Sequence, residues 1–125
     1  MKRLTTEMTK KTGMSPGEPE QLAELAEYAD DAVVSRTLTK GSGGTLTVFA
    51  FDAGQGLSEH TTPFDAWVMA LQGSATVTIG PSEIPFSTGS LLLMPANVPH
   101  AISTTERFKM LLVMLKQEPT SEPDE

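Results

Sequence analysis

Hydrophobic and polar positions alternate with a period of two along most of the chain, from Ala32 onward. Leu46, Val48 and Ala50, for example, alternate with polar or opposite-facing neighbours, as half-buried antiparallel strands do. Gly, Pro, Asp and Asn punctuate these short runs and mark turns between them. The pattern predicts nine strands, over residues 32–39, 45–52, 56–60, 66–72, 74–80, 84–87, 90–95, 100–104 and 107–115. Many short strands at this spacing indicate an all-β sandwich, barrel or jelly roll.

A helical period precedes the strands. Leu22, Leu25, Ala26 and Ala29 fall on one stripe at helical spacing, and acidic residues lie near its N-terminal end, where they favour a helix. The segment from Pro19 to Tyr28 is therefore predicted to form a short helix packed on the sheet.

The two ends of the chain carry much of its charge. Four of the nine basic residues lie in the first eleven positions, and four of the sixteen acidic residues lie in the last eight. Residues 1–18 have no apolar period and are predicted to form a flexible arm, and residues 117–125 an acidic, disordered tail. Residues 19–116 are predicted to fold as one domain, which a chain of this length supports without crosslinks.

Two strands carry apolar side chains on both faces, namely residues 66–71 and 107–115. Either they are central strands enclosed within one barrel, or their outer faces are buried against a second subunit. Only nine residues between Ala32 and Leu115 are charged, and a surface with large apolar patches usually meets a partner. The second interpretation is preferred, and it predicts a homodimer.

Composition excludes several function classes. The net charge of −7 argues against nucleic-acid binding, which needs a basic face to neutralise phosphates. The absence of cysteine removes disulfides, thiolate nucleophiles and cysteine-containing zinc sites. No run approaches the ~18 apolar residues of a membrane span, and the first residues lack the apolar stretch of a signal peptide. We expect a cytoplasmic protein that binds neither membrane nor nucleic acid.

Only two histidines occur in the chain, His60 and His100. The first lies in Gly54-Gln-Gly-Leu-Ser-Glu-His60-Thr-Thr62-Pro-Phe-Asp65-Ala66, a stretch that closes at Gly73. The second lies in Gly89-Ser-Leu-Leu-Leu-Met-Pro95-Ala-Asn97-Val-Pro-His100. These stretches resemble the two sequence motifs of the cupin family, G-x5-H-x-H-x3,4-E-x6-G and G-x5-P-x-G-x2-H-x3-N. The resemblance covers roughly residues 40–115 and implies a small cupin jelly-roll barrel, of the cupin 2 conserved-barrel type, with an internal pocket.

The resemblance also implies a metal site whose ligand set is incomplete here. His60 and His100 occupy the first and last histidine positions, whereas Thr62 replaces the second histidine and Ala66 the glutamate. Asp65, one residue before the vacant glutamate position, is the candidate third ligand if a bulge turns it toward the pocket. The alternative, which residue type favours, is that Asp65 accepts a hydrogen bond at a turn or strand edge. Two imidazoles with oxygen suit Zn, Ni, Fe, Mn or Cu as a divalent ion. Two imidazoles alone hold a metal weakly.

The second motif has two further departures. Asn97 stands where the motif has glycine, and Thr104 where it has asparagine. Asn tolerates the left-handed backbone of a turn, so this replacement is compatible with the motif's geometry.

Two function classes remain open. One is a metal-assisted enzyme acting on a small organic molecule, which the two retained histidines favour. The other is a non-catalytic binding protein that keeps the pocket without the metal, which Thr62 and Ala66 favour. In both cases the expected partner is a small molecule in a largely apolar pocket. The large side chains available to line it are Phe49, Phe51, Phe64, Trp67, Met69, Met94, Phe108 and Met110.

Overall fold

The computed structural model describes residues 13–116, and antiparallel strands dominate them. Nine strands follow in chain order: β1 (Val33–Gly41), β2 (Gly44–Phe51), β3 (Gly56–His60), β4 (Phe64–Gln72), β5 (Ser74–Ile79), β6 (Ser82–Ser87), β7 (Leu91–Met94), β8 (His100–Ser103) and β9 (Phe108–Lys116). Each predicted strand is present, and every boundary lies within two residues of its predicted position. The all-β jelly-roll prediction is confirmed. The predicted flexible tail, and most of the predicted arm, lie outside the described residues.

The strands form two sheets that face each other. The five-stranded sheet has the order β1-β2-β9-β4-β7, and the four-stranded sheet has the order β3-β8-β5-β6. Side chains from both sheets meet in a continuous apolar core, because alternate positions of each strand point inward. The largest fully buried members of this core are Phe51, Val68, Val77, Phe108 and Met110.

The predicted N-terminal helix is reduced to a single 3-10 turn, Leu22–Glu24. So short a segment is marginal as an isolated helix, and its conformation is therefore decided by tertiary packing. Two cationic side chains of the barrel bind backbone carbonyl groups of this segment: Lys109 Nζ donates to Ala23 O at 2.5 Å, and Arg36 Nη1 donates to Leu25 O at 3.1 Å. Most of the segment from Pro19 to Tyr28 therefore lies on the sheet as non-helical chain.

Side chains of this segment cover part of the outer face of the five-stranded sheet. Leu25 and Ala26 form a second buried cluster with Leu38, Val48 and Ala50 of β1 and β2. The N-terminal segment therefore closes the β1-β2 end of the sheet.

Asp52, directly after β2, joins three parts of the chain. Its carboxylate accepts hydrogen bonds from the backbone N–H groups of Asp31 at 2.7 Å and Ala53 at 2.9 Å. It also accepts one from Arg107 Nε at 2.9 Å, just before β9. The Asp31 N–H, the Arg107 guanidinium and the Ala53 N–H, in that order, lower the pKa of Asp52. The ionised carboxylate is thus the form that the folded chain stabilises.

Candidate functional site

His60 and His100 lie side by side on neighbouring strands. They are paired residues in the antiparallel β3–β8 ladder, and their ring centroids are 4.5 Å apart with an angle of 73° between the ring planes. His100 is 3% exposed, whereas His60 is an exposed residue. The pair therefore connects the barrel interior to its opening.

A β-bulge turns His60 inward. In the β3–β8 pairing, Leu57 pairs with Ile102 and His60 with His100, so β3 has one residue more than β8 over this interval. In a regular strand, residues three apart point to opposite faces, but the extra residue brings Leu57 and His60 to the same cavity. Glu59, the neighbour of His60, is exposed and is not part of the cavity lining.

Both imidazoles make the same local hydrogen bond. His60 Nδ1 lies 2.8 Å from Ser58 O, and His100 Nδ1 lies 3.2 Å from Val98 O, so each ring contacts the carbonyl group two residues earlier. A carbonyl oxygen only accepts, and we therefore assign the ring proton to Nδ1 in both residues. Each Nε2 then carries a lone pair. Between residues 13 and 116, neither Nε2 has a hydrogen-bond partner.

Burial keeps the His100 ring neutral. Desolvation lowers the pKa of His100, and the nearby His60 lowers it further, while the hydrogen bond to Val98 O opposes both effects. A neutral imidazole with a free Nε2 can accept a hydrogen bond or bind a metal ion.

The histidines open into a cavity of about 360 Å³. Among the described residues, Thr62 is the one other polar side chain in its wall, and its Oγ1 accepts a hydrogen bond from the Phe64 N–H at 3.1 Å. No charged side chain of the described part of the chain lines it. The wall consists of Phe49, Leu57, His60, Thr62, Phe64, Ala66, Met94, His100, Ile102, Met110, Leu112 and Met114.

Backbone and side-chain hydrogen bonds connect the segment around His60 to the segment around His100. Asn97 has the left-handed φ of 66° that a glycine would adopt, and its N–H donates to Thr62 O at 2.8 Å. Thr104, in the asparagine position of the second motif, donates its hydroxyl to Gln55 O at 2.6 Å, close to the start of β3. These contacts position the strand of His60 against the strand of His100.

Asp65 is not placed with the histidines. Its Oδ1 accepts a hydrogen bond from the Ala96 N–H at 3.0 Å, and the side chain is not part of the cavity wall. The β4–β9 register is regular from Phe64 to Ala70, so the bulge that would redirect Asp65 is missing there. Within residues 13–116, no three His, Cys, Asp or Glu side chains are grouped closely enough to hold a metal ion.

Half of the eight large side chains that the sequence offers for the lining contribute to it. Of the large side chains named from the sequence, Phe49, Phe64, Met94 and Met110 do line the cavity. Phe51 and Phe108 are fully buried core residues instead. Four apolar residues that the sequence did not single out for the lining also contribute to it, namely Leu57, Ile102, Leu112 and Met114. The inward position of Met114 follows from its alternation with Leu115 along β9.

Trp67 and Met69 point to the other side of the sheet, because they alternate with the inward-facing Ala66 and Val68. They belong to an exposed outer apolar patch on β4, β7 and β9, in which Trp67 pairs with Leu93 and Met69 with Leu91. Its five large members are Trp67, Met69, Leu91, Leu93 and Leu115. The N-terminal segment covers the β1-β2 end of the same sheet face, and no other part of residues 13–116 covers these five side chains.

None of the helical structure between residues 13 and 116 has the length and hydrophobicity that a membrane crossing requires.

Comparison with known proteins identifies a family. The family model described as "Cupin domain" matches residues 47–114. A conserved protein of unknown function from Streptococcus pyogenes is 34% identical, with a TM-score of 0.82 over 87% of this chain and 96% of that one. A cupin superfamily protein from Desulfitobacterium hafniense DCB-2 is 30% identical, with a TM-score of 0.81 over 86% and 98%. A cupin 2 conserved barrel domain protein from Leptotrichia buccalis is 35% identical, with a TM-score of 0.73 over 75% and 46%. No curated protein matches the chain.

Proposed function

The chain belongs to the cupin family, and we propose that it binds a small, neutral and largely apolar organic molecule inside its barrel. The cavity carries this proposal, because it combines an apolar wall with two convergent imidazoles. Small-molecule sites usually have this form, with a few polar groups that orient a mostly apolar ligand. The volume of about 360 Å³ lies at the small end of the usual range for such sites.

The chemistry of the wall restricts the ligand. A phosphate or carboxylate group would enter a cavity without a cationic side chain, and burial of an uncompensated charge is strongly unfavourable. A hydroxyl group, in contrast, can donate a hydrogen bond to a free histidine Nε2. The ligand class that fits is therefore an apolar molecule with one or two hydroxyl or similar groups.

A metal ion at the histidine pair is the second candidate. The observation that favours it is the shared orientation of the rings, in which both Nδ1 atoms are held by carbonyl groups and both Nε2 atoms are free. We propose His60 and His100 as the ligands of a divalent ion, with Asp65 as third ligand if its bond to the Ala96 N–H is released. A bound ion would supply Lewis acidity for metal-assisted catalysis. Two imidazoles without Asp65 would hold it weakly.

We further propose that residues 19–116 form the functional domain of a cytoplasmic homodimer. The outer apolar patch supports the dimer, since Trp67 is 37% exposed and Leu91 59% exposed on one continuous face. A twofold pair would cover this face in both copies. Neither nucleic acid nor a membrane is proposed as a partner.

Methionine methyl groups provide the test of the ligand proposal. We would titrate the protein with benzyl alcohol and follow the methyl resonances of Met94, Met110 and Met114 by NMR. All three are expected to shift in one saturable transition, because they line the cavity, while Met69 on the outer patch serves as the internal control. Benzoate, which has a similar shape but carries a charge, is expected to bind more weakly. Shifts confined to Met69, or equal binding of both probes, would contradict the proposal.

A further inference from the structure

The cavity contains a second class of metal donor beside the imidazoles, namely thioether sulfur. Met94, Met110 and Met114 line the same wall as His60 and His100. Methionine sulfur is a weak hydrogen-bond acceptor but a soft metal ligand. The chain has no cysteine to compete as a softer ligand.

Two of these methionines flank Ala66, which occupies the glutamate position of the first motif. Ala66 on β4 pairs with Met94 on β7 and with Met114 on β9, so both methionines are its direct neighbours on the inward face. Directly paired residues have Cβ atoms about 4.5–5.5 Å apart. Because a methionine side chain is unbranched and flexible, each can place its sulfur over Ala66, on the side of the cavity. Met110 pairs with Ala70, farther along β4.

The complete donor set differs from the one that hard divalent ions prefer. The wall offers two imidazole nitrogens, one hydroxyl and three thioethers, and no carboxylate from the described residues. None of these donor groups is an anion, so no described side chain of the wall offsets the positive charge of a bound ion. Burying a doubly charged ion here is therefore much less favourable than burying a singly charged one. Thioether ligands select copper(I) among the biological metals.

We propose that His60, His100, Met94 and Met114 form a site for monovalent copper. This inference rests on the proposal that the histidine pair binds a metal ion, and it specifies copper(I) in place of a divalent ion. The pair supplies two nitrogen donors at the mouth of the cavity, and the methionines beside Ala66 supply the sulfur donors that replace the missing acid. The site consequently discriminates against zinc and other hard divalent ions.

The test is a competition experiment under anaerobic conditions. Copper(I) held by the chelator bathocuproine disulfonate would be offered to the untagged full chain, and the loss of the coloured chelate measured. We expect the protein to remove one copper ion per chain. A double variant, M94L with M114L, is expected to bind copper(I) on the order of tenfold or more weakly, since it loses both sulfurs but keeps apolar side chains of similar size.

A matched variant distinguishes sulfur ligation from a general effect of replacing methionine by leucine. M69L changes a methionine on the outer face of β4, away from the cavity, so it is expected to retain wild-type copper affinity. Thermal unfolding of all variants would show that the fold is kept. X-ray absorption of the copper-loaded protein is expected to show sulfur neighbours of the ion, and a shell of nitrogen and oxygen alone would overturn the proposal even if the double variant binds poorly.

A parallel zinc titration separates this inference from the metal-binding role of the histidines. Zinc binding that depends on His60 and His100, without copper(I) binding, would overturn the copper site and leave the histidine pair as a divalent site. Copper affinity unchanged in the M94L/M114L variant, or reduced equally in M69L, would also overturn it. If H60A and H100A alter the binding of neither metal, the metal-binding role of the pair is wrong as well.

Discussion

Replacement of Ala66 by glutamate is the most informative perturbation of the site, because it returns an acid to the position between Met94 and Met114. Ala66 is 1% exposed, and its neighbours in the wall are apolar. Burying a polar side chain without a partner costs about 1–3 kcal/mol on the scale of protein mutations. Because glutamate is larger than alanine, overpacking costs about a further 1–3 kcal/mol of unfolding free energy where the surrounding wall cannot rearrange. The adjacent cavity of about 360 Å³ reduces this second contribution.

We therefore expect metal-free Ala66→Glu to lose about 2–4 kcal/mol of unfolding free energy, measured by urea denaturation. Ala66→Gln, which has nearly the same shape without the charge, is expected to lose less. Zinc should bind the glutamate variant on the order of tenfold or more tightly than the glutamine variant, since the carboxylate adds a hard ligand to the two imidazoles. Calorimetric titration measures the difference. Equal zinc affinities would refute the reasoning, because they would mean that position 66 does not face the histidines.

Three further predictions concern assembly, acid sensitivity and packing. In sedimentation velocity at micromolar concentration, we expect the wild-type chain to be a dimer and W67K/L93K to be a monomer, and a monomeric wild type would contradict a partner role for the outer apolar patch. The pKa of Asp52 is lowered from its ordinary value of 3.8. The contribution of Asp52 to stability is therefore present above pH 3.8 and is lost as the pH falls through its lowered pKa in the folded state. Asp52→Asn should reduce the unfolding free energy at neutral pH and weaken its dependence on pH below 3.8. An unfolding free energy that falls in parallel for both proteins on acidification would contradict this. Phe108 is fully buried between the sheets, and Phe108→Ala should cost about 3–5 kcal/mol in urea denaturation; a loss below about 1 kcal/mol would be inconsistent with a close-packed core.

The strand pattern was predictable from the sequence because it is governed locally. Inward-facing apolar residues alternate with outward-facing ones, and glycine, proline and asparagine mark most of the turns. Asn97 illustrates the point, since its tolerance of a left-handed conformation was evident from residue type, and its φ is 66°. The N-terminal segment was less predictable. Its helical spacing is real, but Lys109 and Arg36, distant in sequence, bind the carbonyl groups of Ala23 and Leu25.

That the two histidines lie together was predictable from the sequence, whereas the positions of the side chains around them were less so. Motif spacing located His60 and His100, whereas the bulge that turns His60 inward depends on the pairing with β8. Whether Asp65 faces the cavity depends on a bulge in β4, which the sequence does not reveal and the structure lacks from Phe64 to Ala70. Likewise, the position of Met114 beside Ala66 requires the register between β4 and β9. Non-local register is thus the information that the sequence pattern does not carry.

The central claim is that the two histidines act as one polar centre of an apolar cavity. Its most direct test is long-range nitrogen NMR of the imidazole rings during a titration with benzyl alcohol. In the free protein at neutral pH, both His60 and His100 should carry their proton on Nδ1, as their bonds to Ser58 O and Val98 O require. On titration, the Nε2 resonances of both rings should shift together with the methyl resonances of Met94 and Met114, in a single transition. Methyl shifts without a response from the rings, or rings protonated on Nε2, would contradict the account.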